Sequence, residues 1–203
     1  PWGTGVTYAG YLLLALSMVY VLLNRSGKFR LLLRRPVFGV VLVVCLLLGG
    51  CLFYWCVGRR APLIPVLNSP LLYVHVSLIM ISYTLFAIMS LNGILAFCLP
   101  RKTHGLMMLS RMLLYPAVFL LGLGILIGAI WANVSWGRYW AWDPKEVWAL
   151  ITFMVYALPF HTKSLVCFQR PTFFHLYMIL AFLTVLMTYF GVNFFLGGMH
   201  SYA

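Results

Sequence analysis

The chain has 203 residues, 64% of them hydrophobic and 8% charged, with two acids against fourteen Lys and Arg and a formal net charge of +12. A soluble domain needs about 25% charged residues to cover its surface, so a soluble fold with salt-bridged surface helices is excluded. At about 20 residues per crossing, roughly ten spans is a ceiling, and about six with their loops is the expectation. Backbone polar groups must be satisfied within the lipid, which makes the spans helical. The predicted class is an all-α, polytopic membrane protein of about six transmembrane helices.

In chain order the apolar segments are 6–23, 37–57, 71–99, 113–132, 146–160 and 173–195. Arg25, Lys28, Arg30, Arg34 and Arg35 lie between the first two, Arg101, Lys102 and Arg111 between the third and fourth, and Lys163 and Arg170 between the last two. By parity these cations share one face. Arg59, Arg60, Arg138 and Lys145 fall on the other, together with both acids, Asp143 and Glu146. The richer face is expected to be cytoplasmic, which puts both termini outside. Basic residues in short clusters between apolar runs point to a lipid bilayer and not to nucleic acid. Cys45, Cys51, Cys56, Cys98 and Cys167 form no CxxC pair and read as buried free thiols. A start at Pro1 reads as a processed chain or a piece of a longer one, with no cleavable signal peptide visible.

The segment 131–150, WANVSWGRYWAWDPKEVWAL, holds five of the seven tryptophans, at 131, 136, 140, 142 and 148. An interfacial belt explains one or two indoles per loop. Five so close, with acids among them, suggest a flat apolar platform for a large planar ligand. Arg138 and Lys145 beside it can receive carboxylates on that ligand's rim. Haem, planar with two propionates, fits both halves. Asp143-Pro144-Lys145-Glu146 also reads as a helix start, with Asp143 at the N-cap and Glu146 reaching back. Capping explains both acids; a proton role for them is the alternative.

The run WGRYWAWDPKEVWALI resembles the tryptophan-rich "WWD" signature of haem-handling membrane proteins in cytochrome c biogenesis. The following VYALPFH and the ending TYFGVNFFLGGMHSYA resemble the CcsA (ResC) branch, the System II cytochrome c synthases. The resemblance covers 71–203, read as a core of four transmembrane helices with an external Trp-rich loop at 131–150. Residues 1–70, read as two N-terminal transmembrane helices, match in hydropathy alone. A fused CcsBA protein with this chain as its C-terminal part would account for the start at Pro1.

Crossing parity puts His75, the Trp loop and His200 in one compartment, and two neutral imidazoles on opposite faces are a standard axial pair for haem iron. The resemblance implies that same pair as outer ligands. Trp136, Trp140, Trp142 and Asp143 belong to the expected cofactor set, with Arg138 or Lys145 on the propionates. His161 lies about 26 Å along a helix begun at Pro144, at the inner edge of the hydrocarbon. There the resemblance implies a second haem-ligand histidine, whose usual partner comes from a CcsB (ResB)-like subunit or fused half. Residues 1–70 hold no histidine. Pro159 removes a backbone donor near this helix end. His104 reads as solvated and His175 as an interfacial residue opening the last span. Gly191, Asn193, Gly197 and Gly198 either let the backbone pass a ligand or serve helix packing.

The function this implies is export of haem b across a bacterial inner membrane or thylakoid-type membrane. Haem is then attached to the CxxCH segment of apocytochrome c on the outer side. No nucleophile is visible, so the expected catalysis is positional: a holocytochrome c synthase, a lyase forming thioether bonds. The competing readings are a System I exporter handing haem to a chaperone, a bis-histidine electron-transfer cytochrome b, and a transporter for a small aromatic solute.

Overall fold

A computed structural model describes residues 69–196. The chain divides into two units, Pro1–Leu63 and Ile64–Ala203, and the described residues belong to the second. The first two predicted spans, Cys45, Cys51, Cys56, Gly197, Gly198 and His200 lie outside the described residues, as does the side chain of Asn193.

Helix α1 runs Pro70–Cys98, opened by the extended backbone of Ser69 and by Pro70 in the first turn, where a missing N–H costs nothing. A 3-10 turn, Pro100–Lys102, leads into α2, Thr103–Trp136. Helix α3, Pro144–Ala157, ends in a 3-10 turn, Leu158–Phe160. A further 3-10 turn, Val166–Gln169, precedes α4, Pro171–Leu186, which continues in the wider π-helical winding over Met187–Leu196.

The regular elements among the described residues are all helices, without strands. Three of their helices are long and apolar enough to cross a membrane: Pro70–Cys98, Pro100–Trp136 and Pro171–Val192. The expected span 146–160 is not among them. Its α-helix has 14 residues, about 21 Å, because a cap fixes its start and Pro159 turns its end into 3-10 winding. The expected start of the fourth span at 113 is also corrected, since α2 begins at Thr103 and places Arg111 inside a helix. The charge is accommodated there because its guanidinium donates to the Phe168 carbonyl at 2.8 Å and lies over the Phe174 ring.

Lipid offers apolar helices no hydrophobic gain from meeting, so close packing and interhelical hydrogen bonds hold them. Helices α1 and α2 follow that rule. Ser82 donates to the Ala117 carbonyl at 2.8 Å, and Asn92 donates to the Ser110 hydroxyl at 3.2 Å. The pairs rise along one helix as they fall along the other, so α1 and α2 are antiparallel. Helix α3 lays Tyr156 flat on Phe86 of α1, ring centroids 3.7 Å apart. Tyr177 of α4 donates to the Val155 carbonyl at 2.7 Å, and the Thr152 and Thr188 hydroxyls meet at 3.1 Å. At Gly93 the backbone of α4 comes so near that an added Cβ would stand 2.9 Å from the His175 carbonyl oxygen.

His175, expected as an interfacial residue opening the last span, opens α4. It is fully buried, and its Nε2–H donates to the Thr103 carbonyl at 3.0 Å, tying the start of α4 to the start of α2. Cys98 and Cys167 are free thiols as expected, but exposed and not buried, since one closes α1 and the other sits in a short turn. His104 is exposed, as read.

Candidate functional site

The antiparallel pairing gives this unit two chemically different ends. One carries the start of α1 with His75, the end of α2 with Trp131 and Trp136, the loop to Asp143, and the start of α3. The other carries Arg101, Lys102, His104, His161, Lys163 and Arg170.

At the first end, α2 stops at Gly137, whose φ of 74° is the left-handed cap that glycine adopts without strain, its N–H donating to the Asn133 carbonyl at 2.9 Å. The chain then turns through Arg138–Trp142. Trp142 itself has a φ of 57°, a left-handed conformation that is uncommon for a bulky side chain and costs about 1–3 kcal/mol. This backbone holds its indole out, 73% exposed. Trp140 is half-buried and meets Trp142 edge to face, centroids 5.9 Å apart at 89°. Trp131, 1% exposed, likewise meets half-buried Trp136 at 72°. These indoles therefore form angled corners and not the single flat platform expected, because an edge-to-face pair satisfies the ring quadrupole better than a shared plane.

The loop is tied down by the helix start the sequence predicts. Asp143, buried in extended backbone, accepts from the Lys145 N–H at 3.2 Å. Glu146 returns to accept from the Asp143 N–H at 3.2 Å and, one step further, from the Ala141 N–H at 2.8 Å. A full capping box is present. Burial lowers the Lys145 ammonium from the usual lysine range, and the Asp143 carboxylate beside it offsets part of that. Arg138 is exposed on the loop. Asp143→Asn keeps a good N-cap and is expected to melt near the wild type, whereas Asp143→Ala should lose about 1 kcal/mol. Thermal unfolding in detergent compares the two, and equal losses would show that the charge, and not the cap, matters.

His75 sits on α1, half-buried, with its Nδ1–H donating to the Gly124 carbonyl at 2.7 Å. A carbonyl only accepts, so the neutral ring carries its lone pair on Nε2, the tautomer suited to binding a metal through that atom. The bond also fixes the ring's orientation, the usual arrangement for a histidine ligand.

At the opposite end, His161 is exposed just past the 3-10 turn. Its N–H donates to the Leu158 carbonyl at 3.0 Å and its carbonyl accepts from Leu165 at 2.7 Å. Tyr115 of α2 stacks on Phe160 next to it, centroids 4.9 Å apart. The 14 residues of α3 and three of the 3-10 turn separate His161 from the Trp end by about 27 Å.

Sequence reasoning missed Gly137 as a helix stop, although glycine after an apolar helix is the common signal. It missed Gly124 and Gly128, although a G-x-x-x-G run in an apolar helix marks close packing. The strain at Trp142 has no sequence signal.

The family described as "Cytochrome C assembly protein" matches residues 2–200. Among curated proteins, the chain is 42% identical over 152 residues to the protein NrfI of Wolinella succinogenes, covering 70% of this chain and 17% of that one. It is 34% identical over 212 residues to the cytochrome c biogenesis protein CcsA of Chlamydomonas reinhardtii, covering 96% of this chain and 59% of that one. It is 32% identical over 180 residues to the CcsA protein of Synechococcus sp. (strain CC9902), covering 70% and 58%. The chain thus spans less than two thirds of the length of these relatives. With a match that runs from residue 2 to residue 200 and apolar helices fit to cross a membrane, the chain belongs to the cytochrome c assembly protein family.

Proposed function

We propose that this protein carries haem b to the outer side of the membrane and holds it there for attachment to the CxxCH segment of apocytochrome c. The observation that carries this reading is His75: its ring is fixed by the Gly124 carbonyl with the lone pair on Nε2, at the same end of the bundle as the exposed Trp142. In the proposal His75 and His200 would hold the iron. Trp136, Trp140 and Trp142 line the macrocycle, and Arg138 or Lys145 meets the propionates. Burial lowers the Lys145 pKa, and an arriving carboxylate would act against that as the Asp143 carboxylate already does.

When bound, haem supplies two vinyl groups, each of which takes up one cysteine S–H to give a thioether with no atom lost. The protein's part is to hold the haem edge and the peptide close, which makes a bimolecular step local. The peptide's own histidine would compete with His75 or His200 for the iron. A CcsB-like subunit or fused half completes the machinery, with the basic end of the bundle in the cytoplasm.

The test is the reduced absorption spectrum of the protein purified from membranes, followed by its incubation with a CxxCH peptide. A low-spin bis-histidine spectrum and covalent haem on the peptide are expected. Trp140→Ala and Trp142→Ala should each lower the haem that co-purifies. Haem without thioether formation favours a System I-type exporter, and protein without haem sinks the proposal.

A further inference from the structure

Two glycines of α2 stand one helical turn apart, Gly124 and Gly128, and they face two residues of α1 that are also one turn apart, His75 and Ile79. A Cβ built on Gly124 would lie 2.7 Å from the Ile79 Cδ1, the far end of a flexible side chain. A Cβ built on Gly128 would lie 2.5 Å from the His75 Cε1 and 2.6 Å from its Nδ1. The second contact is the harder one to relieve. An imidazole is rigid, and this one is pinned by its bond of 2.7 Å to the Gly124 carbonyl. It cannot retreat from a methyl group at position 128 without breaking that bond. Breaking it also releases the constraint that keeps the lone pair on Nε2.

We infer that the notch of Gly124 and Gly128 sets the rotamer and tautomer of His75, and that Gly128 is a positioning residue for the outer haem ligand. The inference rests on the reading of His75 as an axial ligand and adds what makes that imidazole a good one. The same helix carries Gly122 nearby, whose added Cβ would meet the Phe153 ring of α3 at 3.0 Å. It crowds a different neighbour and leaves His75 alone.

The experiment compares Gly128→Ala, Gly122→Ala and His75→Gly in the full protein purified from membranes, reading haem content, the low-spin bis-histidine spectrum and the melting temperature. Gly128→Ala is expected to lose the low-spin signature and to lower retained haem about tenfold, the scale on which an orienting partner of a metal ligand acts. Gly122→Ala is expected to keep the wild-type spectrum. In the His75→Gly background, adding Gly128→Ala should change neither the residual haem nor the melting temperature, because the ring it displaces is gone. A wild-type spectrum from Gly128→Ala beside a lost one from His75→Gly sinks the positioning role alone. A further loss in the double variant also sinks it, by showing that Gly128 acts on the bundle. A wild-type spectrum from His75→Gly sinks the ligand reading and the positioning role with it.

Discussion

A His75→Gly variant is expected to lose cytochrome c maturation outright and to regain part of it when imidazole is supplied from outside. The size of the loss follows from the ring's environment. Its Nδ1–H is committed to the Gly124 carbonyl, so in the proposed site Nε2 would be the atom that meets iron, and α1 carries no second histidine to replace it. Removing the side chain leaves a gap of its own shape against Gly128, which a free imidazole can enter. Holo-cytochrome c measured in a reconstituted strain, with and without imidazole, decides the matter. Undiminished maturation would remove His75 from the site, and loss without rescue would point to damaged packing between α1 and α2. A His200→Gly variant should behave alike, as the second member of the pair.

The second large effect concerns His161. It lies on the basic end, separated from the Trp end by the 14 residues of α3 and the following turn, about 27 Å. One macrocycle cannot reach both, so a ligand role for His161 implies a second, inner site that loads haem from the cytoplasm. Its second ligand is expected from a CcsB-like segment. His161→Ala should therefore empty the outer site of endogenous haem while leaving it able to bind haem added from outside. Haem content of the variant is measured with and without that addition. Normal endogenous loading would leave His161 a surface histidine. Failure of added haem to bind would show that the change disturbs the bundle, where Pro159 is buried in the adjoining 3-10 turn.

What the sequence made legible was local. The start of α3 follows from Asp143, Pro144 and Glu146 within four positions, and the cap is present with the roles assigned. The bounds of α1 were readable to one residue because Pro70 opens it and Pro100 follows it. What was not legible depended on partners far away in the chain. Arg111 read as a loop residue, since nothing nearby hints at the Phe168 carbonyl 57 positions on. His175 looked interfacial by position, and only the approach of α2 shows why it is buried. The angles among the tryptophans are likewise set by the turn at Gly137 and the strained Trp142, which composition cannot convey. The proposed site residues on 69–196 rest on residue type and parity; the glycine notch beside His75 had no part in that reading.

The capping box has a consequence for proton traffic. The 203 residues contain only two carboxylic acids, and both are engaged in fastening the same helix start, Asp143 with the Lys145 N–H and Glu146 with the N–H groups of Ala141 and Asp143. A carboxylate that left this turn to shuttle protons would release the loop that carries the indoles. In the proposed reaction, proton transfer at the Trp end would therefore have to come from groups other than these two carboxylates. The two acids of this chain are the fasteners of the loop that carries the indoles.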